Sequence, residues 1–200
     1  TDYLDVYFAH IDDQEVPWEE TLGAFDRLIK AGKVRAIGAS NYSADRLEEA
    51  LAVSRGHGFA RYELIQPLYN LHDRADFESS LAKVASEHNL GVVSYFSLAS
   101  GFLTGKYAQL SDLEGNPRAD FLNGYFSDRG QRILDTLMAV SQEASAKPSQ
   151  VALAWLLHQP ELTAPIVSAT SLSQLDEILA SVKLSLPEEM LSRLDAASRQ

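Results

Sequence analysis

Ser40 and Asn41 stand side by side at the end of a short apolar run, Val34-Arg35-Ala36-Ile37-Gly38-Ala39. A hydroxyl beside a carboxamide can donate to and accept from a second planar amide, and the carboxamide of a nicotinamide ring is such a group. Ser-Asn is also ordinary turn chemistry, so both readings stand on these two residues alone. His10 closes the run from Tyr3 to Ala9. An imidazole there could donate a hydrogen bond to a carbonyl oxygen or shuttle a proton, and a satisfied buried histidine is the competing reading. Gln66, just before Pro67, offers a further amide to the Ser40–Asn41 pair. Tyr95 offers an aromatic face on which a flat heterocycle can stack. Downstream, Ser97, Leu98, Ser100, Gly101 and Lys106 can supply backbone N–H groups, hydroxyls and one cation to a pyrophosphate. Asp12 and Asp13 have no partners at metal-ligand spacing and read as a solvated loop.

Each of these side chains needs a strand end to hold it. Strand candidates are Tyr3–His10, Val34–Ser40, Glu63–Gln66, Gly91–Tyr95 and Pro165–Val167. Alternation along the first puts His10 on the side of Leu4, Val6 and Phe8, toward the ligand-binding end. Helical patterns lie between the strands. Pro17 suits the first turn of a helix running to Ala31, with Gly32 as its left-handed terminator. Ser43 caps the next, with Leu47, Ala50 and Leu51 inward. Asp76 caps a third, with Leu81, Val84 and Ala85 inward. Residues 128–144 and 148–158 read as two consecutive helices. A sixth begins near Ser173 (Leu175, Ile178 and Leu179 inward), and a last follows Ser185, with Pro187 in its first turn and Leu191 and Leu194 inward.

Repeated strand–helix units predict an α/β fold with a parallel sheet. No glycine-rich dinucleotide fingerprint follows the first strand, which turns the reading from a Rossmann fold to part of a (β/α)8 TIM barrel. In such barrels ligands sit at the carboxyl ends of the strands, where every candidate above falls. Five strands are fewer than eight, and Thr1 opens the chain inside a strand; both point to an N-terminally truncated piece. Residues 1–200 read as a single, partial barrel domain. The long connection from Ser97 to Ser127 follows the fourth strand and reads as a functional loop over the active face.

The bulk properties narrow the function. With 17 basic and 28 acidic residues the net charge is −11, which repels nucleic-acid backbones and anionic membranes. There is no cysteine for a disulfide or a thiolate metal site. No segment reaches transmembrane length. A cytoplasmic enzyme, monomeric or weakly homo-oligomeric and free of nucleic-acid or membrane partners, is the expectation.

The pattern resembles the aldo-keto reductase family. The resemblance is carried by Asp5-Val6-Tyr7-Phe8-Ala9-His10, by Gly32-Lys33-Val34-Arg35-Ala36-Ile37-Gly38-Ala39-Ser40-Asn41, by Gln66-Pro67-Leu68-Tyr69-Asn70-Leu71, and by Tyr95 with Gly101-Phe102-Leu103-Thr104-Gly105-Lys106-Tyr107. It implies a short-looped bacterial-type member of which this chain is barrel strands four to eight with their helices. It implies NADP, with NAD possible, and reversible reduction of small aldehydes or ketones to alcohols. By the same resemblance, His10 hydrogen-bonds the substrate carbonyl, Ser40, Asn41 and Gln66 clamp the carboxamide, and Tyr95 stacks on the nicotinamide ring. Leu98 and Ser100 fall in the pyrophosphate loop, where Phe96-Ser97 replaces a more usual Ser-Pro pair and Lys106 is the cation already noted downstream. Thr170, Ser171, Gln174 and Glu177 fall in the adenosine-phosphate segment, where Ser168 and Gln174 replace a frequent Lys and Arg.

The family's acid tyrosine, with the lysine that lowers its pKa and the aspartate paired to that lysine, lies before the stretch matched by His10. None of the three matches a position here. The resemblance therefore carries two functions. One is an NAD(P)H-dependent carbonyl reductase. The alternative is a nucleotide-binding, redox-sensing regulatory subunit with little turnover, since the family also includes cofactor-binding channel subunits. A barrel lyase or isomerase would need a Schiff-base lysine or metal ligands at strand ends, and neither is found.

Overall fold

The computed structural model describes residues 1–115 and 119–199. They divide into two compact units, Thr1–Pro67 with Asp76–Val93, and Leu68–Ala75 with Ser94 onward.

The first unit alternates strand and helix. Strands β1 (Leu4–Ala9), β2 (Val34–Ser40), β3 (Tyr62–Gln66) and β4 (Gly91–Ser94, its last residue counted with the other unit) are joined by helices α1 (Trp18–Lys30) and α2 (Ala44–His57), then by a π-helical turn (Phe77–Leu81) that runs into α3 (Ala82–Glu87). All pairings are parallel. β1 lies on β2 from Leu4↔Val34 to Ala9↔Ala39, β2 on β3 up to Ser40↔Gln66, and β3 on β4 at Leu64↔Gly91 and Ile65↔Val92. Parallel neighbours need a crossover of a dozen or more residues, which the helices supply. Two consequences of this register matter for the site. Ala9 and Ala39 are paired, so His10 and Ser40 lie at the same level, and Gln66 is paired with Ser40 directly.

Local signals place these elements. Gly32 has φ 71°, and Ser43 accepts a hydrogen bond from the Arg46 amide at 3.3 Å, as expected of terminator and cap. Leu47 and Ala50 are fully buried and Leu51 nearly so. Pro17 and Pro187 occupy the capping positions of α1 and α8 (Glu188–Ser198) rather than their first turns. Asp76 is a correction: it has helical φ/ψ and makes no side-chain cap, because the helix already includes Ala75 and Asp76 lies inside it.

Gly38 is explained by close approach. A Cβ there would lie 2.3 Å from Phe8 Cε1 and 3.1 Å from the Leu64 carbonyl oxygen, between two neighbouring strands. Gly38→Ala is expected to lower stability by about 1–3 kcal/mol through overpacking. Urea denaturation followed by circular dichroism measures it, and an unchanged midpoint would mean that the strands have room to spare.

The second unit is helical around one apolar segment. α5 (Asp128–Glu143) packs on α6 (Pro148–Leu157) and on α8, and α7 (Leu172–Ala180) also meets α6. Val151 to Leu156 of α6 are buried without a break, so this helix is enclosed rather than amphipathic. Strand β5 is only Ala164–Pro165, shorter than expected; beyond it the Ile166 amide donates to the Ser94 carbonyl at 2.8 Å. The 97–127 connection is built, not extended. It holds 3₁₀ turns at Ala99–Thr104, Leu110–Leu113 and Asn123–Tyr125 and a single turn α4 (Ala119–Leu122), with residues 116–118 outside the described set. In α7 the expected inward face is overturned. Leu175 is 41% and Leu179 55% exposed, and the helix has no buried residue. Apolar spacing identified the helix but did not supply a partner surface within this unit.

Candidate functional site

In the first unit the candidate residues meet. Ser40, the last residue of β2, is buried, and its hydroxyl donates to the main-chain carbonyl of Gln66 at 2.8 Å. Asn41 turns the chain with φ 59°, a left-handed conformation that asparagine tolerates better than most residues. Its Nδ2 donates to the His10 carbonyl at 2.8 Å and lies 3.3 Å from Ser40 Oγ. His10, Ser40, Asn41 and Gln66 thus form one hydrogen-bonded chain across the ends of three adjacent strands. It runs through the main-chain carbonyls of His10 and Gln66, whereas the sequence offered the Gln66 side-chain amide to Ser40 and Asn41 and gave His10 no part in that set. His10 itself lies one residue beyond β1, so strand alternation does not aim it, and its side chain is exposed.

Asp12 corrects the solvated-loop reading. Its carboxylate is 7% exposed and forms a two-point ion pair with Arg46, 2.6 Å to Nε and 2.9 Å to the second terminal nitrogen. That carboxylate holds the Arg46 guanidinium protonated, its pKa raised above the ordinary arginine value. Sequence reading missed Arg46 because its partner lies 34 residues away.

In the second unit Tyr95 is half-buried, one residue past β4, where it bridges to Leu68. Backbone after it is unusual. Phe96, Ala99, Ser100 and Gly101 all have positive φ, from 48° at Ala99 to 102° at Gly101. The Phe96 carbonyl is gripped by the Asn70 side chain at 3.0 Å and by the Ala99 amide at 2.7 Å. Two expected anion donors are engaged inside this turn. Ser97 Oγ is buried within reach of the Ser94 and Ile166 carbonyls, and the Gly101 amide donates to the Leu98 carbonyl at 2.9 Å. Leu98 and Ser100 are half-buried on the same turn; Lys106 is exposed and its Nζ would come within 3.3 Å of a Cβ at Gly101.

The adenosine-phosphate candidates are bound to each other. Gln174 Oε1 accepts from the Thr170 amide and hydroxyl at 2.8 and 2.9 Å, and Ser171 caps α7 by accepting from the Gln174 amide at 3.2 Å. Glu177, one turn on, pairs with Lys147 at 2.5 Å and accepts from the Ser149 hydroxyl. Burial opposes its ionisation, yet Lys147 and Ser149 hold its pKa below the usual glutamate value.

A second polar cluster of this unit escaped the sequence reading. Asn70 and Asp73 form an Asx-type turn in which Asn70 Oδ1 accepts from the amides of His72 and Asp73 at 2.8 Å each. Asp73 then accepts from Tyr125 at 2.6 Å and pairs with His72 Nδ1 at 3.0 Å, while Arg129 faces His72 Nε2 at 3.2 Å. This ties the end of the 97–127 connection to the turn after β3. Burial raises the Asp73 pKa, but hydrogen bonds from His72, Tyr125 and Asn70 outweigh it, and the net shift is downward from 3.8. A depressed folded-state pKa gives stability that is complete above the unfolded value and lost as pH falls through the folded one. The stability difference between the parent and Asp73→Asn is therefore expected to be largest near neutral pH and to shrink below about pH 4. Urea titrations at several pH values measure it, and a gap independent of pH would overturn the assignment.

Four of the tyrosines offer no tuned acid. Burial pushes Tyr42, Tyr62, Tyr95 and Tyr125 upward, away from the neutral range a proton donor needs. Among the described residues no group of three or more His, Cys, Asp or Glu could hold a metal ion. None of the described helices is long and apolar enough to cross a membrane.

The model of the aldo/keto reductase family matches residues 1–199. A probable aldo-keto reductase 1 of Glycine max is 31% identical over 96% of this chain and 54% of its own length. An uncharacterized oxidoreductase of Bacillus subtilis is 32% identical over 98% of this chain and 58% of its own. A putative voltage-gated potassium channel subunit beta of Schizosaccharomyces pombe is 32% identical over 96% and 58%. The chain thus spans a little over half the length of the curated relatives it matches. Parallel strands joined by helices, with polar side chains gathered at their carboxyl ends, are part of a (β/α)8 barrel, and the chain belongs to the aldo/keto reductase family.

Proposed function

We propose that this protein is an NAD(P)H-dependent oxidoreductase that reduces a small aldehyde or ketone to an alcohol in the cytoplasm. The reading rests on one observation: the Ser40–Asn41 pair is fixed at the end of β2 by the carbonyls of His10 and Gln66. A buried hydroxyl and a side-chain amide held without freedom to rotate suit a planar carboxamide, whose two donors and one acceptor demand fixed partners. When bound, a reduced nicotinamide dinucleotide supplies hydride. In this reading Ser40, Asn41 and Gln66 orient its carboxamide, Tyr95 stacks on the ring, and His10 donates a hydrogen bond to the substrate carbonyl. The turn carrying Leu98, Ser100 and Lys106 takes the pyrophosphate, and Thr170, Ser171, Gln174 and Glu177 take the adenosine end. NADP is the cofactor the family favours, although Ser168 and Gln174 put no cation toward a 2′-phosphate.

The relative that carries a channel-subunit name supports a second reading, in which the protein binds the dinucleotide and turns over little. One experiment separates them. The protein, expressed with any coding sequence that flanks these residues, is titrated with NADPH and NADH and then assayed against a panel of aldehydes and ketones. Saturable quenching of tryptophan fluorescence with carbonyl-dependent NAD(P)H consumption is the expected result. Quenching without turnover selects the regulatory reading, and no quenching by either dinucleotide removes both.

A further inference from the structure

We infer that Asp12 and Arg46 are positioning residues for the clamp, an assignment that rests on the function proposed for Asn41. The hydrogen bond from Asn41 Nδ2 to the His10 carbonyl joins two loops, one after β1 and one after β2, and neither loop contains regular structure to fix its height. Two residues beyond each end of that bond, the same loops are joined again. Asp12 follows His10 by two positions, and Ser43 follows Asn41 by two and opens α2, whose first turn carries Arg46.

The second junction is rigid. Asp12 meets Arg46 through two parallel hydrogen bonds, which fix distance and angle together. The guanidinium is held from its other sides as well. Its carbon sits 4.0 Å from the Trp18 ring centroid, and its remaining terminal nitrogen donates to Glu49 at 2.8 Å. Glu49 also accepts from the Trp18 indole at 3.4 Å. Arg46, in the first turn of α2, thus touches the first turn of α1, Glu49 one turn on and the loop after β1. The Ser43 cap, accepting from the Arg46 amide, fixes the backbone that carries it. The construction tethers the His10 carbonyl at the place where a left-handed Asn41 can reach it. Without it, the pairing of β1 with β2 ends at Ala9 and Ala39 and the loop after β1 loses its side-chain tie to α2, whereas the loop after β2 keeps the buried Tyr42 and its bond to Tyr62 at 3.1 Å. A catalytic constellation held only by its own contacts loosens by the ångström or so that matters, which is the role of a supporting shell.

The test reads Asn41 directly. In ¹⁵N–¹H spectra the Asn41 side-chain amide pair, assigned by its loss in Asn41→Gly, reports the bond to His10. In Arg46→Met and in Asp12→Asn, the second chosen to keep shape and fold, the pair is expected to move to solvent-exposed positions while the β1–β2 main-chain signals stay. Arg46→Lys, which keeps the charge but not the fork, is expected to fall between. Dinucleotide affinity is expected to drop roughly 10-fold in Arg46→Met. Unchanged Asn41 signals in a folded Arg46→Met protein overturn the inference. Equal displacement in Ser43→Ala overturns it too, because general loosening of α2 would then suffice. If Asn41→Gly binds dinucleotide as well as the parent does, the clamp itself is refuted, whereas the spectra still decide whether Asp12 and Arg46 position Asn41.

Discussion

Trp155→Ala is expected to lower the free energy of unfolding by about 3–5 kcal/mol, the usual cost of truncating a large buried aromatic. Trp155 is the largest fully buried side chain of the protein. It sits in α6, the helix enclosed on all sides, with the Tyr69 ring 5.9 Å away and the Arg74 guanidinium 4.7 Å from its own centroid. Its indole donates to Asp195 of α8 at 3.0 Å, and Arg74 pairs with the same carboxylate oxygen at 2.7 Å. Removing the ring opens a cavity and strips one partner from Asp195 but leaves the carboxylate its arginine. The loss should therefore be that of a cavity, not of an unpaired buried charge. Trp155→Phe keeps most of the volume and isolates the hydrogen bond, for which about 1–2 kcal/mol is expected. Urea unfolding read by far-ultraviolet circular dichroism measures both, since fluorescence is altered by the substitution itself. A loss below about 1 kcal/mol for the alanine variant would mean that the helices close over the space.

Asn41→Gly is expected to weaken dinucleotide binding by about 10- to 100-fold, the equivalent of one or two well-placed hydrogen bonds. Glycine is the informative replacement because Asn41 has φ 59°, where glycine is unstrained and alanine is not. The backbone turn survives while the side chain that ties β2 to the His10 carbonyl is lost. Ser40→Ala removes the neighbouring hydroxyl and leaves the Gln66 carbonyl short of one donor, so it should cost stability as well as affinity. Calorimetric titration with NADPH and NADH, alongside thermal unfolding, separates the two effects. Asn41→Gly with parental affinity for both dinucleotides would end the clamp assignment.

Much of this was legible without coordinates. The run Val34–Ser40, the terminator Gly32, the cap Ser43 and the helices of residues 128–158 are specified by neighbours within a turn or a strand, where periodicity and capping act. The candidate residues at the ends of β1, β2 and β3 were found for the same reason, each being read from its place on its own strand. Their bonding pattern was not, because it uses main-chain carbonyls of residues chosen for their side chains. Register decides which carbonyl lies opposite Ser40, and one residue of slip would exchange it.

By itself, then, the sequence determined the family, the order of strands and helices, and which side chains lie at the carboxyl ends of β1–β3. The tertiary structure alone decided who holds whom. Asp12 finds Arg46 across 34 residues and Asp73 finds Tyr125 across 52, pairings that no local pattern encodes. It also left Leu175 and Leu179 exposed, although their spacing asked for an apolar neighbour. Short-range preferences are written in adjacent residues, but burial and charge pairing depend on what the rest of the chain brings alongside.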